Sequence, residues 1–166
     1  MAECARTLVL GVGSLIRGDD AIGVLAAQRL RARPDLPPGV VVRDGGTAGL
    51  GLIPMWEGFD RLVLIDAVEM GLPAGAIRRF TWDEARVSGH ERALSAHQTD
   101  LADALLLAET LKMLPPEVVI FGVQPSCMEW DQPLSPAVER ALPALIDALL
   151  DELRSEITDG AKNTLD

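Results

Sequence analysis

The chain has 166 residues, of which 48% are hydrophobic and 24% charged, a composition typical of one globular domain with a substantial core. Its 15 basic and 25 acidic residues give a formal net charge of −10, which argues against a surface for nucleic acid or for an anionic membrane. The sequence shows no charged-then-apolar leader and no apolar run that would span a bilayer, and it has only two cysteines, so we expect a reduced, cytoplasmic protein.

Apolar strands alternate with amphipathic helices along the chain. The first half predicts a strand at 6–10, a helix at 21–33, a strand at 40–43, a short apolar helix at 50–56 and a strand at 62–65. The second half predicts an edge strand at 76–82, a polar loop at 87–93, a helix at 95–113, a strand at 118–123, a helix at 136–153 and a flexible tail at about 155–166. This order predicts a single domain over residues 1–166, a three-layer α/β/α sandwich on a mostly parallel sheet of about five strands.

The stretch from residue 8 to residue 23 combines a strand, a glycine turn and the start of a helix. This arrangement is typical of a dinucleotide site, in which a phosphate lies on the helix N-terminus. Here Asp19 and Asp20 occupy that position, and Ile16 stands where the third glycine of G-x-G-x-x-G belongs. Two carboxylates repel a phosphate but attract a cation, and the helix N-terminus stabilises their ionised form. The sequence therefore predicts a metal-facing turn, with Asp19 the better candidate for a helix cap and Asp20 for a ligand.

Further polar residues follow the other predicted strands. Because the carboxyl ends of parallel strands converge at one edge of a sheet, four segments are expected there: residues 11–20, residues 44–47, Asp66 and Gln124. Asp66 ends an apolar strand, where a carboxylate is costly without a partner, so we interpret it as functional. His97 is predicted at the start of a helix, which favours the neutral imidazole that a metal needs. Asp20, Asp66 and His97 together offer two oxygen ligands and one nitrogen ligand. Such a ligand set is typical of a catalytic or transiently occupied divalent-metal site.

Each candidate also has a plainer structural interpretation. Asp19 and Asp20 are good first-turn helix residues, and a single histidine more often caps a helix or lies on the surface. The sequence Asp44-Gly45-Gly46 also fits a tight turn without a function. The remaining candidates are interpreted as core, interface or solvated side chains: Trp56, Trp82, Trp130, Glu69, His90 and Asp103.

Six short motifs resemble those of one known family in their order and spacing. They are GVGSL at 11–15, GDDAIG at 18–23, DGGTA at 44–48, LIDA at 64–67, SAHQ at 95–98 and FGVQP at 121–125. Together they resemble the hydrogenase maturation endopeptidases, from about Leu8 to the last helix. The resemblance implies an endopeptidase that removes the C-terminal extension from the large-subunit precursor of a nickel–iron hydrogenase after nickel has been inserted.

The resemblance also implies which residues form the site. The family's metal ligands, which we take as the catalytic centre, fall on Asp20, Asp66 and His97, and the nickel that they bind is expected to come with the precursor. Many members carry Glu where this chain has Asp20, and Ser14 replaces an Asn that is common after the second glycine. The precursor is the expected partner, and we expect the protein itself to be a monomer. The substrate-contacting loop is implied to consist of Asp44, Gly45, Gly46 and Thr47.

Three other functions are compatible with parts of the pattern. A nucleotide-binding module would need the acidic turn to tolerate phosphate, with Asp44 reaching a ribose. A nickel-sensing assembly factor would bind the precursor without cutting it, and a general metallopeptidase would cut unstructured peptides with metal from the buffer. A serine protease is not supported, because residues 13–16 do not form the G-x-S-x-G turn.

Overall fold

The computed structural model describes residues 5–89 and 101–162, the last seven of these by their backbone alone. Its strands are β1 (Thr7–Val12), β2 (Val40–Gly46), β3 (Arg61–Ala67), β4 (Ile77–Thr81) and β5 (Glu117–Val123). Its α-helices are α1 (Ile22–Arg31), α2 (Trp82–Ser88), α3 (Leu101–Thr110) and α4 (Pro136–Lys162). Two 3-10 helices, Gly18–Ala21 and Gly49–Trp56, follow β1 and β2. No helix in the described residues is long and apolar enough to cross a membrane.

The strands form one sheet in the order β2-β1-β3-β5-β4. The first four of these pair in parallel, and only β4, at the edge, runs antiparallel to its neighbour β5. Every residue of the central strand β3 is buried, as expected for an apolar strand covered on both faces. The predicted mostly parallel, five-stranded sheet is therefore confirmed.

Two apolar clusters pack on opposite faces of the sheet. One lies under α1 and α4 and includes Ile22, Leu30, Leu145 and Leu149. The other lies under α2, α3 and the second 3-10 helix and includes Leu52, Trp56, Trp82, Leu101 and Leu105. Because side chains alternate between faces along each strand, the sheet supplies both clusters, and the molecule has the three layers that the sequence predicts.

Two predicted boundaries in the middle of the chain are wrong. The edge strand ends at Thr81 and a helix begins at Trp82, where we expected the strand to continue and a loop to follow. The helix starts there because Thr81 and Glu84 form a reciprocal capping box that satisfies two backbone N–H groups. Strand β2 likewise continues through Asp44 to Gly46, because Gly11 and Val12 of β1 extend the ladder alongside it.

The final helix is also longer than predicted, since it continues beyond Leu153 to Lys162. Part of the segment expected as a tail is therefore helical. Gly160 is the poorest helix former in this extension, and one glycine costs only about 1 kcal/mol, too little to end a helix already formed.

An ion-pair cluster around the buried Arg61 fastens α4 to the amino-terminal edge of the sheet. Arg61, which is only 3% exposed, pairs with Glu117 at 3.0 Å and with Glu152 of α4. Glu152 also accepts a hydrogen bond from Arg79 Nε at 2.6 Å. The buried Arg61 and the partly buried Glu152 therefore each face a charge of opposite sign.

At the opposite edge, Gly23 allows α1 to approach the sheet closely. A Cβ at this position would lie 2.3 Å from the carbonyl oxygen of Ile65 and 2.4 Å from that of Val12. The first turn of α1 therefore rests on the carboxyl ends of β1 and β3, which brings Asp20 towards Asp66.

We expect Gly23→Ala to lower the free energy of unfolding by about 1–3 kcal/mol, because the added methyl group meets backbone atoms and forces the helix off the sheet. This loss would occur although alanine is the better helix former. Urea denaturation measures it. Gly51→Ala is the matched control, since the added Cβ would meet only the Ala48 side chain at 3.5 Å. Equal stabilities for the two variants would contradict the close packing.

Candidate active site

The turn after β1 positions Asp20. Gly13 has φ of 129°, and a Cβ there would lie 1.9 Å from the carbonyl oxygen of Asp20, so only glycine fits. The chain then folds back, and the backbone N–H of Ser14 donates to Asp20 Oδ2 at 2.9 Å. This bond holds the carboxylate at the carboxyl edge of the sheet, where the sequence places it.

Asp20 and Asp66 are both buried, at 3% and 2% exposure. Burial raises the pKa of Asp66 well above its usual value, the negative charge of Asp20 raises it further, and a backbone hydrogen bond at Ala67 opposes both. The two carboxylates are therefore close enough to repel each other, and both have little contact with solvent. Such a pair favours either a shared proton or a bound cation.

Glu152 shows what a nearby cation does to a partly buried carboxylate in the same protein. Burial acts to raise its pKa, but hydrogen bonds and charge from Arg79 and Arg61 outweigh burial and lower the pKa overall. The influences on the pKa of Asp66 include a neighbouring carboxylate and no arginine or lysine. Within the described part of the chain, Asp66 thus lacks the compensation that Glu152 receives.

Asp19 has a different role from the one predicted. It does not cap the helix, since the first 3-10 helix has no side-chain cap. Its carboxylate is fully buried and accepts hydrogen bonds from the backbone N–H groups of Ser126, Cys127 and Ser135 at 2.6–2.9 Å. The hydroxyl of Ser135 adds a further bond at 2.8 Å. Asp19 therefore fixes the irregular segment between β5 and α4, while Asp20 is left to face Asp66.

The predicted substrate-contacting residues lie beside this turn, at the end of β2. The N–H of Gly13 donates to the carbonyl of Gly46 at 2.9 Å, which joins the two segments. Asp44 and Thr47 are exposed, whereas Gly45 is buried. The Asp44 carboxylate accepts from the N–H of Gly46 at 2.8 Å. The structure thus confirms that these residues share an edge with Asp20, without testing what they bind.

Gln124 supports the same edge from β5. Its side-chain oxygen accepts from the N–H groups of Met70 and Leu72 at 2.7 and 3.2 Å, and its amide donates to Glu69 at 2.9 Å. Glu69 is exposed, as expected, but its carboxylate also accepts a hydrogen bond from the N–H of Gly71 at 3.1 Å. Gln124 therefore shapes the loop that follows Asp66. Sequence analysis placed it at this edge without finding that role.

His97, the predicted nitrogen ligand, lies outside the described residues, as do His90 and the other residues of the SAHQ motif. Within the residues that are described, no three His, Cys, Asp or Glu side chains are grouped to hold a metal ion. Of the three predicted ligands, the described structure brings Asp20 and Asp66 together.

Fold and site together define a class, the α/β proteins with an acidic site at the carboxyl edge of a mostly parallel sheet. The family profile described as hydrogenase maturation protease matches residues 24–152. The hydrogenase 2 maturation protease of Escherichia coli is 34% identical over 149 residues, which cover 90% of this chain and 91% of that protein. The chain belongs to the hydrogenase maturation protease family, and it is accordingly a hydrolase, an endopeptidase.

Other relatives agree in sequence and in structure. The hydrogenase expression/formation protein HupD of Bradyrhizobium diazoefficiens is 35% identical over 143 residues, covering 86% of this chain and 74% of HupD. The hydrogenase maturating endopeptidase HybD from Escherichia coli superimposes with a TM-score of 0.80 at 33% identity, covering 91% of this chain and 93% of HybD. These likenesses confirm the predicted family and fold, and they favour a peptidase over a nucleotide-binding module or a non-catalytic assembly factor.

We expect Asp66→Asn to stabilise the metal-free protein, and the gain to grow with pH. Folding raises the pKa of Asp66. As the pH rises from about 4, the Asp66 carboxyl group therefore loses its proton first in the unfolded state, and the wild type loses stability over this pH range. The variant has no such proton, and at pH 7 it should be at least about 1 kcal/mol more stable.

Thermal melts of the metal-free protein between pH 4 and pH 7 measure this difference. Asp103→Asn, at an exposed position of α3, is the control. A stability difference between wild type and Asp66→Asn that stays constant with pH would contradict the raised pKa.

Proposed function

We propose that this endopeptidase removes the C-terminal extension of a nickel–iron hydrogenase large-subunit precursor after nickel has been inserted. The nickel belongs to the substrate, and Asp20, Asp66 and His97 bind it when the precursor docks. The proposal rests above all on one observation, the pair of buried carboxylates formed by Asp20 and Asp66. The names of the related proteins, which include the hydrogenase 2 maturation protease, support the substrate class.

Electrostatics supports recognition of the metal. A cation between Asp20 and Asp66 offsets the repulsion that raises the pKa of Asp66, so a metal-bearing precursor gains an interaction that a metal-free one lacks. Carboxylate oxygens and a histidine nitrogen suit a borderline divalent ion such as nickel. On this proposal, the protease alone holds an incomplete ligand set, and the loaded precursor completes it.

The residues of this chain then have different roles in hydrolysis. Asp20, held by the Ser14 N–H, and Asp66 fix the position of the nickel centre relative to the protease. The nickel carried by the precursor supplies Lewis acidity, which polarises the scissile carbonyl or activates a water. The exposed residues Asp44 and Thr47, at the same edge, contact the extension and orient it.

We further propose that the enzyme acts as a monomer in the cytoplasm. Its one described cysteine, Cys127, is not in a disulfide, which suits a reducing compartment. A monomer leaves the carboxyl edge of the sheet open to a large protein substrate.

We expect this protein to shorten a candidate large-subunit precursor only when nickel has been inserted. Intact-mass measurement after incubation should show loss of a short C-terminal piece from the loaded form and no change in the nickel-free form. Asp20→Asn and His97→Ala should each lower the cleavage rate roughly 100-fold or more. Even the loss of a residue that only hydrogen-bonds to a metal ligand typically lowers activity about 10–100-fold.

Asp103→Asn, an exposed carboxylate on α3, is the matched control and should cleave at the wild-type rate. Cleavage of nickel-free precursor at the same rate would overturn the role of nickel. Tight binding of loaded precursor without any cleavage would overturn the proposed reaction and favour an assembly factor.

A further inference from the structure

An exposed aromatic residue lies beside the acidic turn and has no part in the site described above. Trp130, in the irregular segment between β5 and α4, is 53% exposed. The guanidinium carbon of Arg17 lies 5.1 Å from the centre of its ring, a cation–π contact. Leu15 and Ile16, which precede Arg17 in the turn, are 51% and 58% exposed. We call these four residues, Leu15, Ile16, Arg17 and Trp130, the Trp130 surface.

The Trp130 surface is held in place by backbone hydrogen bonds between its two segments. The N–H of Asp131 donates to the carbonyl of Ile16 at 2.8 Å, and the N–H of Gly18 donates to the carbonyl of Gln132 at 3.0 Å. The N–H of Asp19 donates to the carbonyl of Cys127 at 2.8 Å. These bonds join the turn after β1 to the chain on both sides of Trp130. The backbone of the Trp130 surface is therefore already ordered before a partner binds. A surface ordered in advance loses less entropy on binding.

The composition of this surface is that of a protein-binding site. Tryptophan and arginine are enriched among the residues that contribute most to protein–protein affinity, and an apolar centre with a polar rim is the usual arrangement. Here the exposed acids Glu129 and Asp131 flank Trp130. The complementary partner face therefore has an apolar centre bordered by lysine or arginine.

We propose that the Trp130 surface binds the folded body of the large-subunit precursor, next to the segment that is cut. This inference rests on the function proposed above. The surface occupies the turn that ends in Asp20, so a protein whose metal centre reaches Asp20 lies against it. Asp20 and Asp66 then recognise the metal state of the precursor, whereas the Trp130 surface recognises which protein carries it.

Asp19 is the positioning residue for this surface. Its carboxylate binds the N–H groups of Ser126 and Cys127 before Trp130 and that of Ser135 after it. Both ends of the loop that carries Trp130 are therefore tied to the residue next to Asp20. Asp19 acts through the loop and does not itself contact the precursor.

The first experiment compares Trp130→Ala with the wild type in cleavage of the nickel-loaded precursor. We expect KM to rise roughly tenfold or more and kcat to stay within about twofold, because truncation of a central interface residue weakens binding without touching the carboxylates. The dissociation constant of the precursor, measured directly, should rise by the same factor. Leu111→Ala is the matched control, since Leu111 is 54% exposed but lies between α3 and the start of β5, at the opposite edge of the sheet.

The outcomes separate this inference from the proposed function. If the wild type cleaves the precursor and Trp130→Ala has the same KM and dissociation constant as the wild type, the docking role alone is overturned. Absence of cleavage by the wild type would overturn the proposed reaction, and the dissociation constants of the two proteins would still decide the docking role. A wild-type dimer that Trp130→Ala converts to a monomer, with unchanged precursor binding, would assign the surface to self-association and overturn the inference.

A double-mutant cycle tests the role of Asp19. We expect Asp19→Asn to raise KM on its own, because the amide group offers one acceptor where the carboxylate offers two. In the Trp130→Ala background, Asp19→Asn should raise KM by a smaller factor than it does in the wild type, since both changes disable the same contact. Full multiplication of the two factors would show that Asp19 acts on binding independently of Trp130.

Discussion

The carboxylate of Asp19 joins the turn after β1 to the segment between β5 and α4, in addition to the backbone hydrogen bonds between these segments. It is fully buried and accepts four hydrogen bonds, three from backbone N–H groups and one from a hydroxyl. Hydrogen bonds to a charged acceptor are the strong ones, and removing a buried acceptor leaves its donors without partners. The turn that carries Asp20, the loop that carries Trp130 and Ser135, the residue before α4, all converge on this one group. The shape of the site therefore depends on a residue that does not line it.

Acidic side chains shielded from solvent have opposite electrostatic environments at the two edges of the sheet, and the difference indicates where function lies. At the amino edge, Glu152 is compensated by Arg61 and Arg79, and its pKa is lowered despite burial. At the carboxyl edge, Asp66 is buried beside Asp20, and its pKa is raised. An ion pair formed within the chain offsets a charge without any ligand, whereas a buried carboxylate that faces another carboxylate favours a shared proton or a bound cation. At the amino edge the charges are thus paired within the chain, whereas at the carboxyl edge Asp66 lies beside a second carboxylate.

The sequence predicts the sheet and its functional edge well, because both follow from local patterns. Apolar runs mark the buried strands, and strand direction alone brings Asp20, Asp44, Asp66 and Gln124 to one edge. The start of α2 was missed although its signal, the spacing of Thr81 and Glu84, is present in the sequence. The role of Asp19 was not predictable in this way. Its partners lie 107 to 116 residues away, and no local pattern encodes contacts between segments so far apart.

Adjacent acids can serve unrelated purposes because of the local geometry of the turn. Gly18–Ala21 is a 3-10 helix, in which successive side chains point about 120° apart. Asp19 therefore faces the loop and Asp20 faces the sheet, although they are neighbours in the chain. Gly23 brings this turn close to β3, since an added Cβ would lie 2.3 Å from the carbonyl oxygen of Ile65. Gly23 and Asp19 thus act together to set Asp20 beside Asp66 at the carboxyl edge of the sheet.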